Sequence, residues 1–378
     1  MRQASESDAL KILQLYFDVY QGNYTDARMT DFVTLKKSLD STEYLWMIEE
    51  ENDQIVGSVV YQIDLINRLA KAFGAVVRPQ FRGRHLTEEL MSRGMEIMTQ
   101  NDPSIQVVYA TTRTVSAAPQ KLTQNLGYKK LGIFPNIHQT SEPETHTLTA
   151  YYAKDAFKSR YHDFLLHPKL EPLYDIVKHE CDLAPLKIAS EVNPIPALPK
   201  GTPRIAFEVI DAPNFVRYQF LNDQAHVRHH HWFFPFNEPN LILTTSDASL
   251  QVFVSFSHVD RYCAIIAIRD EKNVGYYHIL ESACFALRKL GVRYLEFIMR
   301  ADEVNKISIA LETRFIPCAY FPAMQLSASG YRFDYVVFSR SFEILDFKGL
   351  KFEGVYKDYL KQYFAFWEEA AYESVFDE

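Results

Sequence analysis

The stretch Val76-Val-Arg-Pro-Gln-Phe-Arg-Gly-Arg-His-Leu-Thr-Glu-Glu-Leu90 decides how this chain is read. An apolar run ends at Val77, Pro79 stops the extended segment, and an amphipathic helical pattern opens at Thr87. Between them lies a short basic turn with one glycine. A helix start leaves its first backbone N–H groups unpaired and carries partial positive charge, so it is a receptor for phosphate. Arg82 and Arg84 add full charges there, and Gly83 lets the backbone approach a ligand closely. The chemistry implied is the cradling of a pyrophosphate by Arg82, Gly83, Arg84, His85, Leu86 and Thr87.

Outward from this turn, the sequence alternates helical and extended periods. Leu10, Ile12, Leu13, Leu15, Tyr16 and Val19 recur at helical spacing after Ser5 as N-cap, and a second short helix is expected over residues 29–39. Residues 44–48, 55–65 and 70–77 read as strands, with Glu-Asn-Asp-Gln turning the first into the second. After the basic turn come a helix over 87–98, a strand over 105–111, a helix over 117–126, and strands over 128–133 and 145–152. This order predicts an α/β mixed sheet with helices on both faces.

That order and the basic turn resemble the GNAT N-acetyltransferase superfamily, whose coenzyme A loop reads V-x-P-x-x-R-G-x-G-x-G/A between a strand and a helix. Val77, Pro79, Arg82 and Gly83 match, and Asn125-Leu-Gly-Tyr128 stands where the family often has a Gly-Phe pair. His85 and Thr87 replace the two later glycines. The resemblance covers residues 1–154 and implies acetyl-CoA, or another acyl-CoA, as co-substrate. It also implies that the strand before the loop splays from the strand at 105–111, with pantetheine in the gap bonding to backbone near Val76 and Val77.

Two groups that family members commonly use are missing: a glutamate on the strand before the loop, where this chain has Ala72-Phe-Gly-Ala-Val-Val77, and a tyrosine where it has Thr123. Candidates for the proton transfers are Glu144 and His146, two apart and so on one side of a strand, with Tyr109 and His85. A solvated polar pair is the plainer account of Glu144 and His146.

The rest of the 378 residues repeat this grammar. Asn193-Pro-Ile-Pro-Ala-Leu-Pro-Lys-Gly-Thr-Pro203 cannot continue any hydrogen-bonded element. Four segments are expected: a catalytic domain over 1–154, a connector over 155–203 with helices at 155–166 and 169–181, a GNAT-like domain over 204–345, and a C-terminal helix over 346–378. In the second domain, strands are expected at 241–245, 250–256, 262–268 and 294–299, and helices at 276–290 and 302–313. Residues 108–135 lie on 295–322 without a gap at an offset of 187, Arg113 falling on Arg300, Phe134 on Phe321 and Pro135 on Pro322. The result is two tandem GNAT-like domains, each a mostly antiparallel sheet flanked by helices. The second is degenerate: Ile268-Arg-Asp-Glu-Lys-Asn-Val-Gly275 sets two carboxylates where a pyrophosphate would sit. It can close the active site, contact substrate or mediate association as a homodimer.

Composition bounds the rest. Apolar residues make up 47% and charged residues 23%, with a net charge of −8, which argues against bulk nucleic-acid binding. The start MRQASESDALKILQLY lacks the basic end and apolar stretch of a secretory signal, and no run approaches a membrane span, so a soluble, cytoplasmic protein is expected. Cys181, Cys263, Cys284 and Cys318 are scattered among apolar neighbours and read as buried reduced thiols. The run His226-Val-Arg-His-His-His-Trp232 has no ligand-spaced carboxylate or thiol beside it, and no metal is expected. The expectation is an acyl-CoA dependent N-acetyltransferase acting on a small-molecule or peptide amine. The alternatives are a non-catalytic acyl-CoA sensor and an assembly module that binds no coenzyme A.

Overall fold

A computed structural model describes residues 1–24, 26–100, 104–139, 143–193, 195, 201–226 and 233–376. The first half runs β1 (Arg2–Gln3), α1 (Ala9–Tyr20), α2 (Ala27–Thr30), α3 (Phe32–Asp40), β2 (Tyr44–Glu51), β3 (Gln54–Asp64), β4 (Leu69–Val77), α4 (Leu86–Gln100), β5 (Val107–Arg113), α5 (Ala118–Asn125), β6 (Lys129–Gln139) and β7 (Pro143–Tyr152). The connector carries β8 (Leu165–Leu166), α6 (Glu171–Cys181) and β9 (Lys187–Ile188). The second half runs β10 (Glu208–Asp211), α7 (Pro213–His226), β11 (Leu241–Thr244), β12 (Leu250–Ser257), β13 (Tyr262–Asp270), α8 (Tyr276–Lys289), β14 (Tyr294–Arg300), α9 (Val304–Glu312), β15 (Ile316–Leu326), β16 (Arg332–Ser341) and α10 (Tyr356–Phe376).

Among the described residues, fourteen strands form one sheet in the order β1-β2-β3-β4-β5-β7-β6-β15-β16-β14-β13-β12-β11-β10. The sheet is mostly antiparallel, flanked by helices, and reads alike from its two edges: a meander, one parallel pair, then an antiparallel pair. The halves meet where Gly132 on β6 faces Ala319 on β15. Ala319 is the residue that the 187-residue offset lays on Gly132. Registers agree as well: Lys129 faces Ala150 and Ile316 faces Ser339, with register shifts after Lys130 and Pro317.

That seam is close. A Cβ on Gly132 would lie 2.3 Å from the Cβ of Ala319 and 2.4 Å from its Cα. Around it, Arg332 is fully buried and donates to the carbonyls of Asn67, Ala323 and Met324 and to the Gln106 side chain, so one guanidinium spans both halves. The phenols of Tyr356 and Tyr359 on α10 donate to the carbonyls of Leu148 at 3.2 Å and Lys130 at 2.8 Å, laying the last helix over the seam.

Local chemistry explains where the structure departs from expectation. The helix expected over 29–39 is two, because the side chain of Asp31 accepts from the Thr34 amide at 2.8 Å and restarts the chain. The helix expected over 155–166 is absent: residues 155–159 are turns, Arg160 bridges to Arg332 and 165–166 are β8, because Tyr161 donates its amide to the Arg332 carbonyl at 2.8 Å and the Arg332 amide donates back to the Ser159 carbonyl at 2.7 Å. Arg160 is buried there against Asp334, at 2.6 Å. Residues 346–355 are not helical, since Lys351 bonds to Thr114 and Gln120 of the first half. The edge elements β10 and α7 had no sequence signal in the expected order. Most of the proline-rich stretch and residues 227–232 of the histidine run lie outside the described residues. All four cysteines are buried and free. Among the described residues, no helix is long and apolar enough to cross a membrane.

The seam generates a test. Gly132→Ala should lower unfolding free energy by about 1–3 kcal/mol, the range for overpacking a filled interior. Urea midpoints measure it, and an unchanged midpoint would mean that the two strands are not apposed there.

Candidate active site

On one side β4 pairs with β3 from Leu69 to Val77. On the other it pairs with β5 only at residues 69–72, opposite residues 107–110. Beyond Ala72 and Ala110 the two strands continue without each other, so the edge of β4 from Phe73 to Val77 faces a gap. Gly74, at φ +62°, sits where the β3 register shifts, and the Tyr16 phenol donates to its carbonyl. A Cβ there would lie 2.6 Å from Met29, so the α1–α2 face is packed tightly over this bend.

The gap leads to the basic turn. Arg78 is buried, donating to the Ile55 carbonyl at 2.9 Å and pairing with Asp18, so it holds the turn in place. Arg82 and Arg84 stay exposed, Arg84 lying 4.8 Å from the Phe81 ring centre and 3.1 Å from Glu51. Gly83 takes φ +80° with open space around it. His85 takes φ +61°, a left-handed conformation that glycine adopts freely and histidine at a cost of about 1–2 kcal/mol. The backbone therefore keeps a glycine-like shape where the resembled motif has glycine, and the exposed imidazole turns to Glu88 at 3.3 Å. Glu89 makes the first bond of α4 back to the His85 carbonyl, leaving the amides just before it as the helix-start donors. Arg82, Gly83, Arg84, His85, Leu86 and Thr87 thus gather at one helix start, with Val76 and Val77 on the edge leading to it. These residues fit a pyrophosphate and an extended arm.

The corresponding turn of the second half is filled from within. The Asp270 carboxylate accepts the amides of Lys272 at 3.2 Å and Gly275 at 3.4 Å before α8, and Lys272 pairs with Asp247.

Glu144 and His146 do lie on one side of β7. Arg113 grips Glu144 with two donors, one at 2.7 Å, and His146 Nε2 is 3.6 Å from Glu144, too far for a hydrogen bond. Burial pushes the His146 imidazole down to about 4, with Glu144 opposing only in part. His146 is therefore neutral at neutral pH and a weak base.

Tyr109 lines a cavity of about 160 Å³ on the seam, with Lys71, Thr111, Tyr262, Glu296 and Phe321 also in its walls. Lys71 and Tyr109 face one another in the last stretch of β4–β5 pairing, and Thr111 is the first β5 residue past it. Glu296 is buried on β14; its Oε1 accepts from the Tyr262 phenol at 2.6 Å, and its Oε2 has no partner. Burial raises its carboxyl to about 7, against the pull of the Tyr262 and Tyr294 phenols and of Lys71. Sequence reasoning missed Lys71, Tyr262 and Glu296. The signal available was a lone acid in the apolar strand Tyr294-Leu-Glu-Phe-Ile-Met299, at the position the offset of 187 lays on Tyr109.

Residues 9–128 match the family model of the acetyltransferase (GNAT) family, and that segment is a GNAT acetyltransferase domain. Solved structures similar to the chain include the ribosomal-protein-alanine N-acetyltransferase of Brucella melitensis, 16% identical over 40% of this chain and 98% of that one, with a TM-score of 0.35. A GNAT-family acetyltransferase from Streptococcus pneumoniae is 18% identical over 40% and 96%, with a TM-score of 0.36. An aminoglycoside 6'-N-acetyltransferase complexed with coenzyme A is 14% identical over 40% and 97%, with a TM-score of 0.32. No curated protein matches the chain.

Burial of His146 has a consequence for acid stability. Its pKa is about 4 folded against 6.5 unfolded, so below pH 6.5 the unfolded chain binds the extra proton. The stability it confers is present above pH 6.5 and lost as pH falls toward 4, by about 3 kcal/mol in full. Urea midpoints from pH 7.5 to 4.5 should fall more steeply for wild type than for His146→Asn. Parallel curves would show that the imidazole is not held neutral.

Proposed function

We propose that this protein is an N-acyltransferase that takes an acyl group from acetyl-CoA or another acyl-CoA and delivers it to a primary amine by direct attack on the thioester. One observation carries the reading: β4 parts from β5 immediately ahead of a basic turn at a helix start. Arg82, Arg84 and the amides of residues 83–87 hold the pyrophosphate in this reading, while Val76 and Val77 bond the pantetheine arm along the open edge. Attack of a neutral amine needs positioning more than covalent catalysis, which fits a site without an activated Ser or Cys. In this reading Tyr109, whose phenol burial keeps protonated, gives a proton to the leaving sulfur. His146 beside Glu144 can accept the amine proton only weakly at neutral pH.

In the same proposal the second half is a degenerate GNAT-like domain that binds no coenzyme A. The Asp270 carboxylate, bonded to the amides of Lys272 and Gly275, puts a negative charge in the turn where a phosphate would lie. A non-catalytic acyl-CoA sensor is the second reading, favoured by the bidentate grip of Arg113 on Glu144.

Titration of the full chain with acetyl-CoA should give one site, and Arg82→Ala should weaken binding by about 1.5–3 kcal/mol, the range for losing a hydrogen bond to a charged group. Two equivalent sites, or an unchanged dissociation constant, would place the pyrophosphate elsewhere. Release of free thiol from acetyl-CoA on adding amines separates the enzyme from the sensor.

A further inference from the structure

We propose that Glu296, carried by the second half, is the catalytic base for the transfer centred on the first half, and that its cavity takes a primary monoamine borne on a compact apolar body. The inference deepens the acyltransferase reading and rests on it.

Place is the first argument. The cavity is lined at the apex where β4 and β5 part: Lys71 and Tyr109 belong to the paired stretch, and Thr111 is the first residue past it. An acyl arm anchored at residues 82–87 and running along the β4 edge from Val77 toward Phe73 points its thioester end at that apex. Glu296 lines the same cavity from across the seam.

The second argument is chemical. Glu296 Oε2 is buried without a partner, an arrangement that costs stability unless a donor completes it. An ammonium supplies such a donor. The cavity is close in size to the engineered one of about 150 Å³ that admits benzene, and Phe134, Phe234, Phe321 and Leu148 give it apolar walls. Burial pushes the Lys71 amine down, and among the lining residues Glu296 is the only carboxylate, so the cavity offers no second anion to another ammonium and a monoamine fits where a polyamine does not.

The groups facing Glu296 are Tyr262 and Cys263 from β13, Tyr294 from its own strand, Lys71 from β4, Tyr109 from β5, His138 from β6 and Cys318 from β15. Its burial-raised carboxyl, at about 7, suits proton exchange at neutral pH. In the step, the bound ammonium gives one proton to Glu296. The freed nitrogen lone pair forms the C–N bond to the thioester carbon as the C–S bond breaks. The second N–H proton passes to the leaving sulfur, for which Tyr109 is in reach, and the third stays on the amide. Glu296 then releases its proton to solvent.

The test uses the full chain, acetyl-CoA, and four probe amines: benzylamine, cyclohexylamine, spermidine and a lysine peptide. Thiol release should favour the two cyclic monoamines at least tenfold in kcat/KM, and the rate should rise with pH through an ionisation near 7. Glu296→Gln should lower kcat about 10²-fold to 10⁴-fold and remove that ionisation, with acetyl-CoA affinity unchanged as proof of folding. Tyr262→Phe, which removes a hydrogen bond to the carboxylate, should move the ionisation to higher pH, an effect a packing role would not produce. Preference for spermidine or the peptide, an unaltered profile in Glu296→Gln, or acetyl-CoA binding without release to any probe would overturn the proposal. Absence of acetyl-CoA binding in wild type would bring down the acyltransferase reading itself.

Discussion

The contact between Gly132 and Ala319 is the constraint on which the rest of the molecule depends. Only a residue without Cβ lets β6 approach β15 at that point, and that pairing turns two seven-strand sheets into one. Because the pair faces antiparallel at positions 187 apart, features placed alike in the two halves face each other across the seam. The buried charge network follows from this. Arg332 finds its acceptors in both halves, and Asp334, beside it, accepts from Arg160, Tyr320 and the Ala323 amide. Left unpaired, either charge would be costly to bury. The network therefore makes sense only in the joined sheet.

The same geometry sets the character of the candidate site. Phe134 and Phe321, and Tyr109 and Glu296, are pairs at the same offset, and all four line one cavity. Thr111 and Ile298, and Ile137 and Met324, are further pairs at that offset in its walls, so equivalent positions recur while their chemistry differs. The first half contributes the Tyr109 phenol and the Lys71 amine, and the second contributes the Glu296 carboxyl and the Tyr262 phenol. Polar groups that differ between the two halves, set among apolar walls, give a cavity that can orient a ligand with one polar end.

How much of this the sequence disclosed depended on whether the cause was local. The turn at residues 78–87, the helix start behind it and the strand order could be read because Pro79, Gly83 and the two exposed arginines act through their own backbone and charge. The parting of β4 and β5 came from resemblance alone, since periodicity reports which face a residue occupies and not which neighbour its strand leaves. Residues 155–160 misled because their apolar spacing suits a helix, while the Ser159 carbonyl and the Tyr161 amide bond to the backbone of Arg332, far along the chain. Glu144 and His146 were legible as a pair, but the grip of Arg113 and the depth of burial were not. Glu296 was visible as a lone acid in an apolar strand. Its significance depended on a seam that no local pattern announces.

Two turns at equivalent places in the halves show how a single physical problem admits opposite answers. A strand that ends before a helix leaves amide donors at the helix start, and those donors attract an anion. In the second half Asp270 sets its own carboxylate in the turn, on the amides of Lys272 and Gly275 just ahead of α8. In the first half no carboxylate is bonded to the corresponding amides among the described residues, and Arg82 and Arg84 deepen the demand for one from outside. A half freed from holding phosphate can devote its strands to other contacts, and β14, with Glu296 aimed across the seam, does so. In the proposed reading, phosphate recognition stays within one half while the acidic wall of the cavity belongs to the other. Loosening the seam would disturb the alignment between them before it disturbed the turn itself.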